Sequence, residues 1–268
     1  MPDAPIVLVH GILGFDQLKL RGFGAVDYFR KVPETLRQAG HVVPEPPTLN
    51  TAGSISERAQ DLRNYLDTQA GVAGARVHII AHSMGGLDTR FAISELGAAG
   101  KVISLTTIGT PHRGSPIADL LVKGTLPGTD EILDHLGVDI NGVQDLTTTA
   151  RTQQVADSDG VKYFSIAGAF EPPRWPGILG SPGLPQGLLG ATHDIVSSQQ
   201  GENDGVVSVT SAEFGAERKN WEFLGKWAGN HFRLINWGTN IIPTSNEESD
   251  QSILNNYVTL AARLQALP

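Results

Sequence analysis

The sequence predicts an α/β domain: a mostly parallel central sheet with helices on both faces. Three observations carry that expectation. Strand-like apolar runs alternate with helical periodicities from residue 5 to residue 108, the order a parallel sheet with crossover helices requires. A chain of 268 residues, 40% hydrophobic and 18% charged, is long and apolar enough to bury one large core. Residues 76–87, RVHIIAHSMGGL, read as a strand, a very tight turn and a helix with a serine at the apex.

The elements follow in order. Residues 5–10, Pro-Ile-Val-Leu-Val-His, form a short buried strand that ends at His10–Gly11, and a Gly-punctuated loop runs over residues 11–24. Tyr28 to Ala39 reads as a helix that tolerates Pro33 near its start and stops at Gly40. His41 to Val43 resumes an extended segment before a proline cluster at 44–47. Ser54 or Ser56 can cap a helix to about Gln69, with Ile55, Ala59, Leu62 and Leu66 on one face. Strand 76–81, the serine turn, helix 84–97 and strand 101–108 come next, and the last ends in Gly109-Thr110-Pro111-His112. Regularity fails over about 115–158, a weakly helical, Gly-interrupted apolar stretch that reads in part as core and in part as a lid over a crevice. Strand 161–167 restores the sheet, residues 171–190 read as a Pro/Gly-rich loop, Asn220 to Leu224 as the last strand, and 252–265 as a terminal amphipathic helix. Residues 1–268 thus form a single domain with a lid-like insertion.

In a parallel sheet, ligands sit beyond the carboxyl ends of the strands. His10, Ser83 and Thr110 all fall at such ends, so their loops converge on one crevice. A serine hydroxyl is a poor nucleophile at neutral pH and needs a base and an exposed position. The strand-turn-helix elbow supplies the exposure, and Ala81 and Gly85 are small enough to let it close. The common form of this elbow is G-x-S-x-G, so Ala81 stands where a glycine is usual.

The base must follow the serine in this architecture, with the acid between them. His112, His135, His193 and His231 are the histidines after Ser83, and His231, in Ala-Gly-Asn-His-Phe after the final strand, is best placed. For the acid, Asp204 lies in Asn203-Asp204-Gly205, a tight-turn sequence that presents its carboxylate, with Asp194 and Glu202 as rivals. A developing oxyanion needs two aimed N–H donors, and the amides of Met84, after the serine, and Ile12, after the first strand, are the candidates.

Composition narrows the partners. A net charge of −8 argues against nucleic acid. The absence of cysteine excludes disulfides and thiolate metal sites, and no carboxylate cluster of ligand spacing occurs, so neither a metal nor another cofactor is expected. The start MPDAPIVLVHG has no basic region and only a short apolar run, which reads as neither a signal peptide nor a membrane span. A cytoplasmic protein is the expectation, a secreted mature form the alternative.

Six segments in this order resemble the bacterial true-lipase family of the α/β-hydrolase superfamily, the triacylglycerol lipases of Pseudomonas and Burkholderia type: VLVHGILGFD at 7–16, VDYFRKVPETLRQAG at 26–40, VHIIAHSMGGLDTRF at 77–91, IGTPHRGSPIADL at 108–120, NDGVVS at 203–208 and NHF at 230–232. The resemblance implies ester hydrolysis, with Ser83 as nucleophile, Asp204 as acid, His231 as base, the Ile12 and Met84 amides as oxyanion hole and the region around 115–158 as lid. Small ester or lipid substrates follow, with transient contact at a lipid interface. Family members generally hold a structural calcium through an acid two residues beyond the catalytic histidine. Arg233 stands there in this chain, and a cation cannot ligate calcium, so that site is expected to be absent. A carboxylesterase, an acyltransferase or a polyester depolymerase would use the same residues, and a non-catalytic scaffold is the remaining alternative.

Overall fold

A computed structural model describes residues 3–12, 28–50, 53–69, 71–125, 140–150, 154–172, 185–215, 218–237 and 250–268. In chain order the elements are β1 (Ile6–Val9), α1 (Val32–Gln38), α2 (Ile55–Thr68), β2 (Val77–His82), α3 (Met84–Glu95), a 3-10 turn (Ala98–Lys101), β3 (Val102–Ile108), α4 (Pro116–Val122), α5 (Ile140–Gln144), β4 (Lys162–Ala169), α6 (Pro185–Gln200), α7 (Val209–Ala212), β5 (Trp221–Ala228), a 3-10 turn (Arg233–Ile235) and α8 (Asp250–Gln265). The strands pair in parallel, in the order β1-β2-β3-β4-β5. This is the α/β-hydrolase fold, with helices on both faces of the sheet and extra helical insertions.

Alternation along each strand sorts side chains between the two faces. Ile6 and Leu8 of β1, with Ile80, Ile108 and Ile166, pack beneath α1 and α8 against Leu36, Tyr257 and Leu264. Val7 and Val9, with Ile79, Ala81 and Leu105, face the opposite layer, where Leu62 and Leu66 of α2 and Ala92 and Ile93 of α3 cover them. Each such aliphatic side chain contributes about 1.5–3 kcal/mol when fully buried. A further apolar cluster lies at the carboxyl end of the sheet and joins Ile12, Ile55, Met84 and Leu87 to Ile117 and Leu121 of α4, Val143 of α5 and Val196 of α6.

Local chemistry explains the element ends. Ser54 caps α2 in a complete capping box: its hydroxyl accepts from the Glu57 amide, and Glu57 accepts from the Ser54 amide. The cap is therefore Ser54 rather than Ser56. Pro33 sits in the first turn of α1, where a missing N–H costs nothing, and α1 begins at Val32 rather than Tyr28. His41 to Val43 forms no strand; its link to the sheet is the Ile6 amide donating to the Val42 carbonyl at 2.8 Å.

Two differences from the sequence reading have clear causes. The segment expected to be loop through residue 190 is helical from Pro185 onward. Proline at a first helical position is pre-organised for the helix, and burial of Thr192, His193 and Val196 outweighs the low propensity of Gly187 and Gly190. Strand β5 runs to Ala228, past the expected end at Leu224. Opposite Ser165 and Ala167 stand Phe223 and Lys226, so β5 carries one extra residue. Gly225, at φ 105°, supplies the left-handed conformation that such a bulge needs. Of the expected lid segment, α4 and α5 are described, and α4 packs with both α5 and α6; Ile132, Leu133, Leu136 and Val138 lie outside the described residues, as do residues 13–24 of the first loop.

Candidate active site

Ser83 occupies the junction between β2 and α3 at φ 55° and ψ −131°. A non-glycine residue there stores on the order of 1–3 kcal/mol of strain and persists only when its surroundings over-determine it. They do so here. The Ser83 amide donates to the Ile108 carbonyl at 2.9 Å, and its own carbonyl accepts from the Thr110 hydroxyl at 2.7 Å. The glycines after it are sterically required. A Cβ at Gly85 would lie 2.6 Å from the His10 carbonyl oxygen, and one at Gly86 would overlap the Thr110 side chain. Helix α3 therefore abuts the ends of β1 and β3 directly. Ala81, by contrast, points its methyl into the core on the α3 side, so the elbow does not need a glycine there.

Asp204 and His231 come from the loops after β4 and β5. The Asn203 side chain accepts from the Gly205 amide at 2.8 Å, an Asx turn, with Gly205 at φ 95°. That turn aims the fully buried Asp204 carboxylate inward. One oxygen accepts from the amides of Val206 and Val207 at 3.0 and 2.7 Å, and the other accepts from His231 Nδ1 at 2.7 Å. The Asn230 side chain accepts from the amides of Phe232 and Arg233 and so fixes the turn that carries His231. The His231 amide donates to the Asp204 carbonyl at 2.8 Å. With Nδ1–H committed to Asp204, Nε2 is left to accept from the Ser83 hydroxyl, 3.0 Å away.

The structure thus brings Ser83, His231 and Asp204 into one continuous chain of hydrogen bonds at the carboxyl end of the sheet. The rivals lie elsewhere. Asp194 is exposed beside His193, and Glu202 pairs with Lys226 on the surface. His112 stacks on Phe214 and bonds Thr107 and Arg90, while His135 lies outside the described residues.

The first loop reaches Ser83 through Gly11, where a Cβ would fall 2.8 Å from Ser83 Cβ. Ile12 follows it and shares an apolar cluster with Met84. Beneath this loop Arg58 donates through Nη2 to the His10 carbonyl, through Nη1 to the Asn50 carbonyl, and through Nε to Asp88 at 2.8 Å. Arg58 and Asp88 are both fully buried, and burial pushes the Asp88 carboxyl up to about 7 despite its arginine partner. His10 accepts from the Leu49 amide and is pushed down to about 4 by burial and then by Arg58. This scaffold had no sequence signal: its members lie far apart in the chain and meet only in the fold.

Arg233, at the position where an acid would ligate calcium, donates to Asp250 at 2.6 Å, and Arg30 reaches the other oxygen of that carboxylate at 3.1 Å. Among the described residues no cluster of three or more His, Asp or Glu side chains is arranged to hold a metal ion. No helix among them is long and apolar enough to cross a membrane.

No protein-family model matches the sequence. A triacylglycerol lipase of Vibrio cholerae is 37% identical over 124 residues, 46% of this chain and 37% of that protein. Triacylglycerol lipase 2 of Saccharomyces cerevisiae is 26% identical over 287 residues, which covers 88% of this chain and 81% of the yeast protein. Among solved structures, the mature lipase BlEst2 of Bacillus licheniformis superimposes with a TM-score of 0.64 at 25% identity and covers 88% of this chain and 89% of that one. The chain is an α/β-hydrolase-fold homologue of esterases and lipases. Its match spans little more than a third of the Vibrio relative.

Proposed function

We propose that this chain is a serine carboxylic-ester hydrolase that cleaves acylglycerols through an acyl-enzyme. The observation that carries the proposal is the unbroken contact from Asp204 through His231 to Ser83, with the serine held in a strained elbow. Ser83 Oγ attacks the ester carbonyl carbon and its proton passes to His231 Nε2. The oxyanion is stabilised by the Ile12 and Met84 amides, and Asp204 stabilises the imidazolium. Collapse breaks the bond to the alcohol oxygen, which leaves with the proton from His231. Water then attacks the acyl-enzyme and gives its proton to His231, which returns it to Ser83 Oγ as the bond to the acyl carbon breaks and the acid leaves.

The acylglycerol assignment is favoured by the apolar cluster built from Ile12, Met84, Leu87, Ile117 and Leu121 around the oxyanion loop, and by the names of the relatives. Hydrolysis of short- and long-chain p-nitrophenyl esters and of a triacylglycerol emulsion, with and without EDTA, tests it. Turnover of the long-chain substrates is expected in EDTA, and Ser83→Ala is expected to lose at least about 10⁴-fold. Short-chain activity alone would replace the lipase assignment with a carboxylesterase, and full activity in Ser83→Ala would overturn the mechanism.

A further inference from the structure

We propose that Tyr28 and His82 form a positioning relay that ties the oxyanion loop to the main chain of His231. The inference rests on the roles assigned above to Ser83 and His231. The Gly11 amide, one residue before Ile12, donates to the Tyr28 hydroxyl oxygen at 3.0 Å. That hydroxyl lies 2.7 Å from His82 Nδ1, and His82 Nε2 lies 3.0 Å from the main-chain oxygen of His231. A carbonyl oxygen only accepts, so Nε2 carries the proton. Nδ1 of the neutral ring then accepts from Tyr28.

Each end of the relay meets a different part of the proposed machinery. Tyr28 also takes an indole N–H from Trp237 on its own carbonyl at 2.9 Å, so the segment beyond His231 holds it too. His231 is consequently pinned on both sides: its amide donates to the Asp204 carbonyl, and its carbonyl receives the His82 proton. The imidazole is aimed by its main chain as well as by the Asp204 carboxylate.

The relay also sets charge. The His82 and His231 rings stand 4.5 Å apart between centroids. Two imidazolium ions at that distance would repel, and His231 must become cationic whenever it takes the serine's proton. The buried, neutral His82, held in one tautomer by Tyr28, leaves that charge unopposed. Burial and then the neighbouring His231 drive the His82 ring well below the ordinary histidine range, in keeping with this geometry.

Three measurements test the relay. In the wild-type protein at neutral pH, ¹⁵N NMR of the imidazoles is expected to show His82 with its proton on Nε2 and a bare Nδ1; a proton on Nδ1 would overturn the proposal. Tyr28→Phe keeps the ring and removes only the hydroxyl. It is expected to lower kcat about tenfold with KM unchanged, alongside a modest fall in Tm because the Gly11 amide and His82 Nδ1 lose this partner. A fall in Tm with kcat intact would show a merely structural role and overturn the relay. His82→Gln keeps a donor for the His231 carbonyl and should retain more activity than His82→Leu, and adding Tyr28→Phe to His82→Leu should cost nothing further. Additive losses would count against a single relay. Labelling with a p-nitrophenyl phosphonate separates the two levels of argument. If Ser83→Ala still labels, the triad assignment itself fails; if it does not, and Tyr28→Phe labels at the wild-type rate, only the relay fails.

Discussion

Ser83 is held by main-chain geometry at a strand–helix junction, whereas Asp204 and His231 are held by side chains that fold their own loops. Around Ser83 two hydrogen bonds to its own main chain are backed by steric contacts: α3 lies so close to β1 and β3 that only glycine fits at 85 and 86. Around Asp204 and His231 they are hydrogen bonds from Asn203, Asn230 and the amides of Val206 and Val207. The first arrangement is rigid because nothing can move; the second is rigid because every polar group is satisfied. On the proposed mechanism, the Ser83 side should fail by losing the fold, and the Asp204–His231 side by losing the chemistry with the fold intact.

Asp204→Asn tests the second half most sharply. It leaves the turn in place, but with the amide oxygen kept by the Val206 and Val207 amides the new NH2 group donates to His231 Nδ1 and holds the ring in the wrong tautomer; about a 10⁴-fold loss of kcat at nearly unchanged Tm is expected from a titration of ester hydrolysis against a melting curve. Gly85→Ala should do the reverse, with Tm lowered by about 5–10 °C together with activity, because the His10 carbonyl lies 2.6 Å from the added methyl and cannot retreat. If Gly85→Ala melted like the wild type, the steric half of the contrast would be wrong.

The pH dependence of stability sharpens the comparison at the oxyanion loop. His10 and His78 fall from 6.5 to about 4 in the fold, so between those values the unfolded chain holds protons that the native one lacks. Stability therefore rises with pH across that window. Asp88, raised from 3.8 to about 7, holds an extra proton in the native state and acts in the opposite direction. Denaturant midpoints of Asp88→Asn are expected to climb more steeply than the wild type's from pH 4.5 to 6.5, because the native-state proton held by Asp88 no longer opposes the histidines. A shallower climb would contradict the burial argument. Gly109→Ala should lower kcat about a hundredfold with a smaller stability cost, because at φ 57° its Cβ would sit 3.1 Å from the Asp204 carboxylate and 3.4 Å from His231 Nδ1. The smallest effect is expected at Arg233→Met, about 1 kcal/mol by chemical denaturation, since Asp250 keeps Arg30 and is itself partly exposed.

What could be read in advance divides along the same line. The elbow, the Asn-Asp-Gly turn and the Asn-His-Phe loop carry their geometry in adjacent residues, so the sequence pointed at Ser83, Asp204 and His231 before any contact was known. The α/β architecture was legible from alternating periodicities. The continuation of β5 through Gly225 was not, since a glycine inside a strand pattern reads as an end until its partner strand is seen to carry one residue fewer. The helical start at Pro185 was hidden by neighbouring glycines whose cost only tertiary burial offsets. Tyr28, His82 and Arg58 were invisible as partners of the site for a simpler reason: their bonds join residues dozens of positions apart.

The strand order β1-β2-β3-β4-β5 is also the order of synthesis. A chain emerging from its N-terminus can lay each strand along the edge left by the one before, and the serine elbow is complete once β2 and α3 have docked. Asp204 and His231 follow β4 and β5, so the base arrives last, after nearly all of the sheet has formed. On the proposed triad, a growing chain carries a serine without its base until the fifth described strand is in place, and hydrolytic competence would report completed folding.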